Sequence, residues 1–271
     1  MGRAKMRVWA MVWCGFALLT SLSLANAADE GKLELIDPGV LSGATDGSFA
    51  PFGFVDTKGN QSGLNIDLHR EVVRRMGLKF NSLIVSWQGA LPGLLAGKYD
   101  VLFQTMDITP DRQKNVLFVD AWLESGGRLV VHRDSPIKSV EDVKGKVIGV
   151  SSGSSWAKLA EPLGARELKY YETDIPAMLD VANMRTDAMI CDQILAAYAI
   201  QERGLPLKMV GEYLTVVQKG WATRNHAVNL VKAMNKALAS VIADGTYDKI
   251  AMKYVGLSPR PKSPIRSQLP N

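Results

Sequence analysis

A chain of 271 residues, 47% hydrophobic and 22% charged, is long enough for one large or two small domains with a real core. Its formal charge is +5, but three of those cations (Arg3, Lys5 and Arg7) sit at the extreme N-terminus, and without them the charge falls to +2. No basic tract interleaved with aromatics remains, so a nucleic-acid-binding surface is unsupported.

The same three cations precede an apolar run, Val8 to Leu24, and Ala25-Asn26-Ala27 has the small-x-small form of a signal-peptidase site. Residues 1–27 are therefore read as a secretory signal peptide, since the apolar run is short for a membrane anchor and a cleavage site follows it. Met11-Val12-Trp13 lacks the small residue that lipoprotein processing at Cys14 requires, so Cys14 leaves with the signal. Cys191 then stands alone, without an intramolecular disulfide, and its run Ala188-Met189-Ile190 marks it as a buried small hydrophobe.

In chain order, Val40–Thr45 reads as a first strand leading to Asp46-Gly47, a strong turn signal, and to Phe49 and Phe52. Phe52 reads as core; Phe49 is either core or the wall of a pocket. Asp56–Asn60 is a hairpin-type turn. A helix opens at Gly63 and runs through Met76, with Ile66, Val73 and Met76 on one apolar face, and Gly77 ends it. Leu83–Val85 is the next strand, and a short helix over Ala90–Ala96 closes at Gly97. Val101-Leu102-Phe103 is a buried strand that turns into a short helix. There Thr109 suits the cap, Pro110 the first helical position and Asp111 the positive end of the dipole. Arg112 falls in that first turn, where a cation is misplaced unless an anion meets it. It either pairs with Asp107 or Asp111, or forms with nearby backbone N–H groups a site for a carboxylate. The alternation of strands and helices predicts an α/β fold with a parallel sheet.

Arg128–Val131 and Val147–Val150 are further strands, and Ser139 to Asp142 reads as a capped helix start. Ser151 to Trp156 opens another helix, and the hydroxyls of Ser154 and Ser155 are donors that either cap it or face an anion. No P-loop Lys-Ser/Thr follows Gly153, so this turn is not a nucleotide site. Asp187–Asp192 is a strand ending in an acid, and Asp192 caps the helix Gln193–Gln201, faces a cleft, or does both. Val231, Met234, Leu238 and Val241 mark an amphipathic helix that ends at Asp244-Gly245. The tail 258–271 carries four prolines and reads as extended or disordered. His69, His132 and His226 have no metal-like spacing, and no local motif suggests a nucleophile–histidine pair.

GKYDVLFQTMDITPDRQKNVLFVD (97–120) resembles the "GKYD…ITPER…F(S)D" stretch of the family 3 bacterial extracellular solute-binding proteins, the periplasmic amino-acid receptors of ABC importers. The likeness extends from about Gly31 to Gly256 in matching order. Asp46–Phe52 is similar to "TDGxYPPF", with Phe49 in the Tyr position, and Asp134–Gly145 is similar to the opening of the family's second lobe. Gly149–Ser155 resembles "GVxxGTT", Asp187–Asp192 resembles "DAVVxD", and Asp244 to Gly256 resembles "DGTYDKI…KY(F)G".

The resemblance implies a two-lobed periplasmic-binding-protein-like α/β fold of type II, with two chain crossings at the hinge. Lobe 1 is expected over 28–125 and 217–271, and lobe 2 over 126–216. It assigns the ligand α-carboxylate to Arg112 and the α-ammonium to Asp192. Ser154 and Ser155 fall on the far side of the carboxylate, Gln104 and Thr105 in lining positions, Trp87 as a wall or as interface packing, and Asp46 at the pocket edge. Asp107 departs from the family's usual Ser or Thr and either binds a cationic group or pairs with Arg112. One cation against up to three acids (Asp46, Asp107, Asp192) implies a ligand with one carboxylate and extra positive charge, such as a basic amino acid or an opine-like conjugate. The implied protein is a periplasmic monomer that delivers its ligand to an ABC permease without cofactor, metal or catalysis. The alternatives are a dehydratase-like enzyme of the same fold and a sensor without transport.

Overall fold

The computed structural model describes residues 31–269; the readings of residues 1–27, Cys14 included, lie outside the described residues. Twelve strands are described: β1 (Val40–Thr45), β2 (Ser48–Phe49), β3 (Gly53–Val55), β4 (Gln61–Ser62), β5 (Lys79–Ile84), β6 (Val101–Asp107), β7 (Val116–Phe118), β8 (Leu123–His132), β9 (Val147–Ser151), β10 (Glu167–Tyr171), β11 (Ala188–Asp192) and β12 (Leu207–Arg224). The described α-helices are α1 (Leu64–Arg75), α2 (Trp87–Leu95), α3 (Pro110–Gln113), α4 (Ser155–Ala160), α5 (Asp174–Ala182), α6 (Gln193–Gln201), α7 (Val228–Ala243) and α8 (Thr246–Val255).

The main sheet runs β10-β9-β11-β8-β12-β6-β1-β5, with β7 beside β12. Its two wings are parallel, as the strand–helix alternation requires: β5-β1-β6 on one side and β10-β9-β11 on the other. The centre is antiparallel. The long strands β8 and β12 pair with each other over Leu207–Val210 and again over Thr215–Lys219, with a register shift between. Each then pairs antiparallel with its own wing, β8 with β11 and β12 with β6. The sheet is therefore mixed, and β8 and β12 carry the chain from one wing to the other and back.

Alternation along the strands gives each wing a core on both faces. Val101 and Phe103 of β6 face one way, into a core with Ile66 and Val73 of α1, Met234 of α7, Trp122 and Trp221. Leu102 and Met106 face the other way, toward Leu94 of α2 and Phe118. In the second wing Leu129, Val131, Ile148 and Ile190 share a core with Trp156, whereas Val130, Met189 and Cys191 pack on α5 and α6. Cys191 is buried, as its apolar run predicts.

Where the crossings leave the first wing, Trp122 and Trp221 pack at 5.3 Å between ring centroids. The Trp221 indole donates to Asn65 Oδ1 at 2.5 Å, and Tyr247 Oη donates to the Trp122 carbonyl at 2.7 Å. These bonds tie both crossings to α1 and α8. Gly63, just before α1, has φ +125°, and a Cβ there would lie 2.3 Å from the Phe52 carbonyl oxygen, so only glycine fits.

Several elements differ from expectation. β5 begins at Lys79 rather than Leu83, because its edge position leaves it half exposed and weakly patterned. α2 begins at Trp87 because Ser86 Oγ caps it, accepting from Gly89 N. The tail through residue 269 forms neither helix nor strand, yet it is tied to the crossings. Ala121 N donates to the Ile265 carbonyl, Glu124 N to the Pro259 carbonyl, and Arg266 pairs with Asp120 at 2.6 Å.

Candidate functional site

A cavity enclosing about 520 Å³ of empty space out to its mouth lies between the C-terminal ends of β1 and β6 and the N-terminal ends of α4 and α5. Crevices beyond the carboxyl ends of parallel strands are where open α/β sheets bind ligands. Nine of the ten sequence-selected residues line it: Asp46, Phe49, Trp87, Gln104, Thr105, Asp107, Arg112, Ser154 and Ser155. The tenth, Asp192, does not. Lys219, Asp174, Thr173, Trp156 and Ser151, which the sequence reading passed over, also line it.

Thr109 caps α3 as predicted, its Oγ1 accepting from Arg112 N at 3.3 Å. Arg112 pairs with neither Asp107 nor Asp111 through their carboxylates. Its guanidinium donates to the backbone carbonyls of Asp107 (2.9 Å) and Gly153 (3.4 Å) and lies 5.8 Å from the Trp87 ring centroid. Asp111 is held instead by Lys114 and Lys158. Burial lowers the Arg112 pKa and the Asp107 charge works against that fall. Arg112 is thus a cation in the cavity wall with no carboxylate in ion-pair contact among the described residues. Trp87 serves the interface as well as the wall, its indole donating to the Ser152 carbonyl at 2.8 Å.

Asp107 does not pair with Arg112 through its carboxylate; the cation it meets is a side chain of the protein. Lys219 from β12 places its ammonium against Asp107 Oδ1 and 3.1 Å from Asp192 Oδ2. Ser155 Oγ donates to the other oxygen of Asp107. Burial works to raise the Asp107 pKa, but Lys219 and Ser155 outweigh it and hold the carboxyl below its ordinary range. Burial likewise opposes the Lys219 charge, and the Asp107 and Asp192 carboxylates overcome it, raising the ammonium pKa. The ammonium also lies 5.2 Å from the Trp156 ring centroid.

Asp192 caps α6, accepting from Ile194 N at 2.8 Å, and accepts from Ser125 Oγ at 2.8 Å. It is fully buried behind Lys219. Ser154 is the ordinary cap of α4, accepting from Ala157 N and donating to the Ser151 carbonyl. With the Ser155 hydroxyl held by Asp107, both serine hydroxyls are engaged within the protein.

The acidic part of the cavity is Asp46 with Asp174. Asp46 accepts from the Ser48 backbone and hydroxyl, and burial raises its pKa. Asp174 opens α5 and is pushed up to about 7 by burial, then by the negative charges of Asp192 and Asp46. Its Oδ1, Gln104 Oε1 and Thr105 Oγ1 are buried without hydrogen-bond partners. Buried polar atoms are rarely left unpaired, so three around one cavity point to a guest that donates. The expected count of one cation and three acids is therefore corrected. Lys219 offsets one of the two charges on Asp107 and Asp192, and Asp174 joins Asp46.

The sequence carried some signal for both missed residues. Thr173-Asp174 is a capped acidic helix start, and Lys219 is the lone charge between Glu212 and Arg224. Neither signal says what the side chain meets. Among the described residues no group of three His, Cys, Asp or Glu is placed to hold a metal ion.

Known proteins share this arrangement of elements. The lysine/arginine/ornithine-binding periplasmic protein of Escherichia coli K12 is 31% identical over 252 residues, 88% of this chain and 94% of the relative. An ancestral arginine-binding protein, solved bound to arginine, superposes with a TM-score of 0.75 at 35% identity, over 80% of this chain and 98% of its own. An ancestral amino acid-binding protein that is a precursor of cyclohexadienyl dehydratase gives 0.73 at 31% identity, over 80% and 95%. With two wings joined by two crossings, a cleft lined from both, and a family match spanning residues 41–257, the chain belongs to the bacterial extracellular solute-binding proteins, family 3.

Proposed function

We propose that this protein is a periplasmic receptor for a small cationic carboxylate of the amino-acid type, which it hands to an ABC permease. The observation that carries the ligand class is the set of unused acceptors on Asp174, Gln104 and Thr105 beside Asp46, in the same cavity as an Arg112 without a carboxylate partner. Arg112 takes the ligand carboxylate in a charge-assisted bond. Asp46 and Asp174 take its distal cation, and Asp174 ionises fully as it arrives. Relatives named for lysine, arginine and ornithine, and a neighbour solved with arginine, are in keeping with such a ligand.

Lobe 1 is taken as 28–125 with 217–271 and lobe 2 as 126–216, which puts the hinge in the paired segments Leu123–Gly127 and Thr215–Lys219. A ligand touching both lobes stabilises the closed state by its differential contacts, and the permease reads that state. The protein works as a monomer and does not turn its ligand over. Turnover of any bound ligand by the purified protein would overturn that last point.

The test is thermal unfolding of protein stripped of ligand by unfolding and refolding, against basic amino acids, their derivatives, opines, glutamate and aspartate. Ligand at roughly 1,000 times its dissociation constant adds about 4 kcal/mol, a shift on the order of several degrees for a chain this long. The shift is expected with cationic carboxylates and not with glutamate or aspartate. The reverse pattern would refute the charge reading.

A further inference from the structure

We infer that Lys219 is a specificity-determining residue: its ammonium fills the place between Asp107 and Asp192 where a ligand's α-ammonium would sit, so the receptor selects cationic carboxylates that lack a free α-ammonium. This rests on the proposed receptor function and narrows its ligand.

The geometry leaves little room for a second cation there. Lys219 is 2% exposed, and an ammonium has three donors and no acceptor. One bonds Asp107 Oδ1, the ammonium lies 3.1 Å from Asp192 Oδ2, and the charge rests against the face of Trp156. The acids are equally occupied. Asp192 accepts from Ser125 Oγ and Ile194 N on its other oxygen, and Asp107 accepts from Ser155 Oγ on its own. Both oxygens of Asp107 are engaged, and Asp192, whose Oδ2 has only the Lys219 ammonium beside it, is not exposed to the cavity at all. A free α-ammonium brought here would have to displace the Lys219 ammonium to reach a carboxylate oxygen of this cluster.

The acceptors that remain free lie elsewhere, on Asp174, Gln104 and Thr105. They suit a cation remote from the carboxylate that Arg112 holds. The class that matches is an ω-guanidino or ω-amino carboxylate with an uncharged α-position. Rejection of the ordinary amino acid then arises from a cation the protein itself supplies, which already occupies the carboxylates a guest ammonium would need.

Isothermal titration of stripped wild-type protein with two matched pairs tests this: L-arginine against 5-guanidinopentanoate, and L-lysine against 6-aminohexanoate. Within each pair the members differ by the α-ammonium alone. The expected result is that the des-amino member of at least one pair binds tenfold or more tightly than its amino acid. Tighter binding of the amino acid in both pairs overturns the role of Lys219 and leaves the receptor function standing. Absence of binding by all four probes overturns the proposed cationic ligand as well. The wild-type comparison needs no variant. Lys219→Met supplies a second arm: with the cluster's cation gone, preference is expected to move at least tenfold toward the amino acid, and an unmoved preference in a folded variant contradicts the inference.

Discussion

Two sets of charged groups meet at the same cleft, one of them with Asp192 behind its wall. Lys219, Asp107 and Asp192 satisfy one another, with Ser125, Ser155 and the start of α6 taking the remaining lone pairs. Asp46, Asp174 and Arg112 have no oppositely charged side chain in ion-pair contact among the described residues. Gln104 and Thr105 beside them hold unused acceptors. The closed set joins the two wings of the sheet, Lys219 and Asp107 on one side and Asp192 on the other. The open set leaves polar atoms for a ligand to pair. Exposure alone does not separate the two, because Gln104 and Thr105 are almost as buried as Lys219.

The largest expected effect breaks the closed set. Lys219→Met leaves two buried carboxylates uncompensated, and removing one partner of a buried ion pair costs about 3–5 kcal/mol. Urea unfolding of the ligand-free variant checks this. Arg112→Ala works on the open set and is expected to reverse the pattern. Loss of a charge-assisted contact to the ligand weakens binding by about 1.5–3 kcal/mol, read by calorimetry, while ligand-free stability changes by less than about 1 kcal/mol.

Asp174→Asn sharpens the contrast through pH. The folded pKa of Asp174 lies above its ordinary 3.8, at about 7, so between those values the folded state holds a proton that the unfolded state has lost. The stabilisation from that proton falls as pH rises through the window. Relative to wild type, the ligand-free Asn variant is therefore expected to gain as pH climbs from 4 to 7, by at most about 1.4 kcal/mol per pH unit. His69 works in the opposite sense over much of the same range. Burial pushes its folded pKa down to about 3, so its contribution is lost as pH falls below 6.5. Comparing variant with wild type at each pH cancels this effect. The smallest effect belongs to Ser154→Ala, which removes the cap of α4 and costs about 1 kcal/mol in unfolding measurements, without shifting preference among ligands.

The sequence makes legible those features whose partners are near in the chain. Thr109-Pro110 starts α3, Ser139 to Asp142 forms the expected capping box, β1 and α6 keep their expected bounds, and α7 follows its apolar period. Arg112 is legible because a cation in a first turn is locally misplaced. Lys219 is not, because its partner Asp107 is 112 residues away and β12 places them together only through the second crossing. The same reason hides the tail. Ile265 and Ser267 read as polar, proline-broken chain, yet they bond to Gln218 and Asp120 on the two crossing segments. Asp192 shows the opposite error. Its place at a strand end is as expected, but a lysine from another strand stands between it and the cavity.

The central claim is that the cation of the ligand goes to Asp174 and Asp46. Its most direct measurement is the protonation linked to binding, taken by titrating 5-guanidinopentanoate or L-arginine, whichever binds, at pH 7 in buffers of different ionisation enthalpy. With Asp174 near its pKa when free, binding of a cation beside it is expected to release about half a proton, and Asp174→Asn is expected to abolish that release. Tight binding with no proton released by wild type, or with the same release from the variant, would place the ligand's cation elsewhere and contradict the claim.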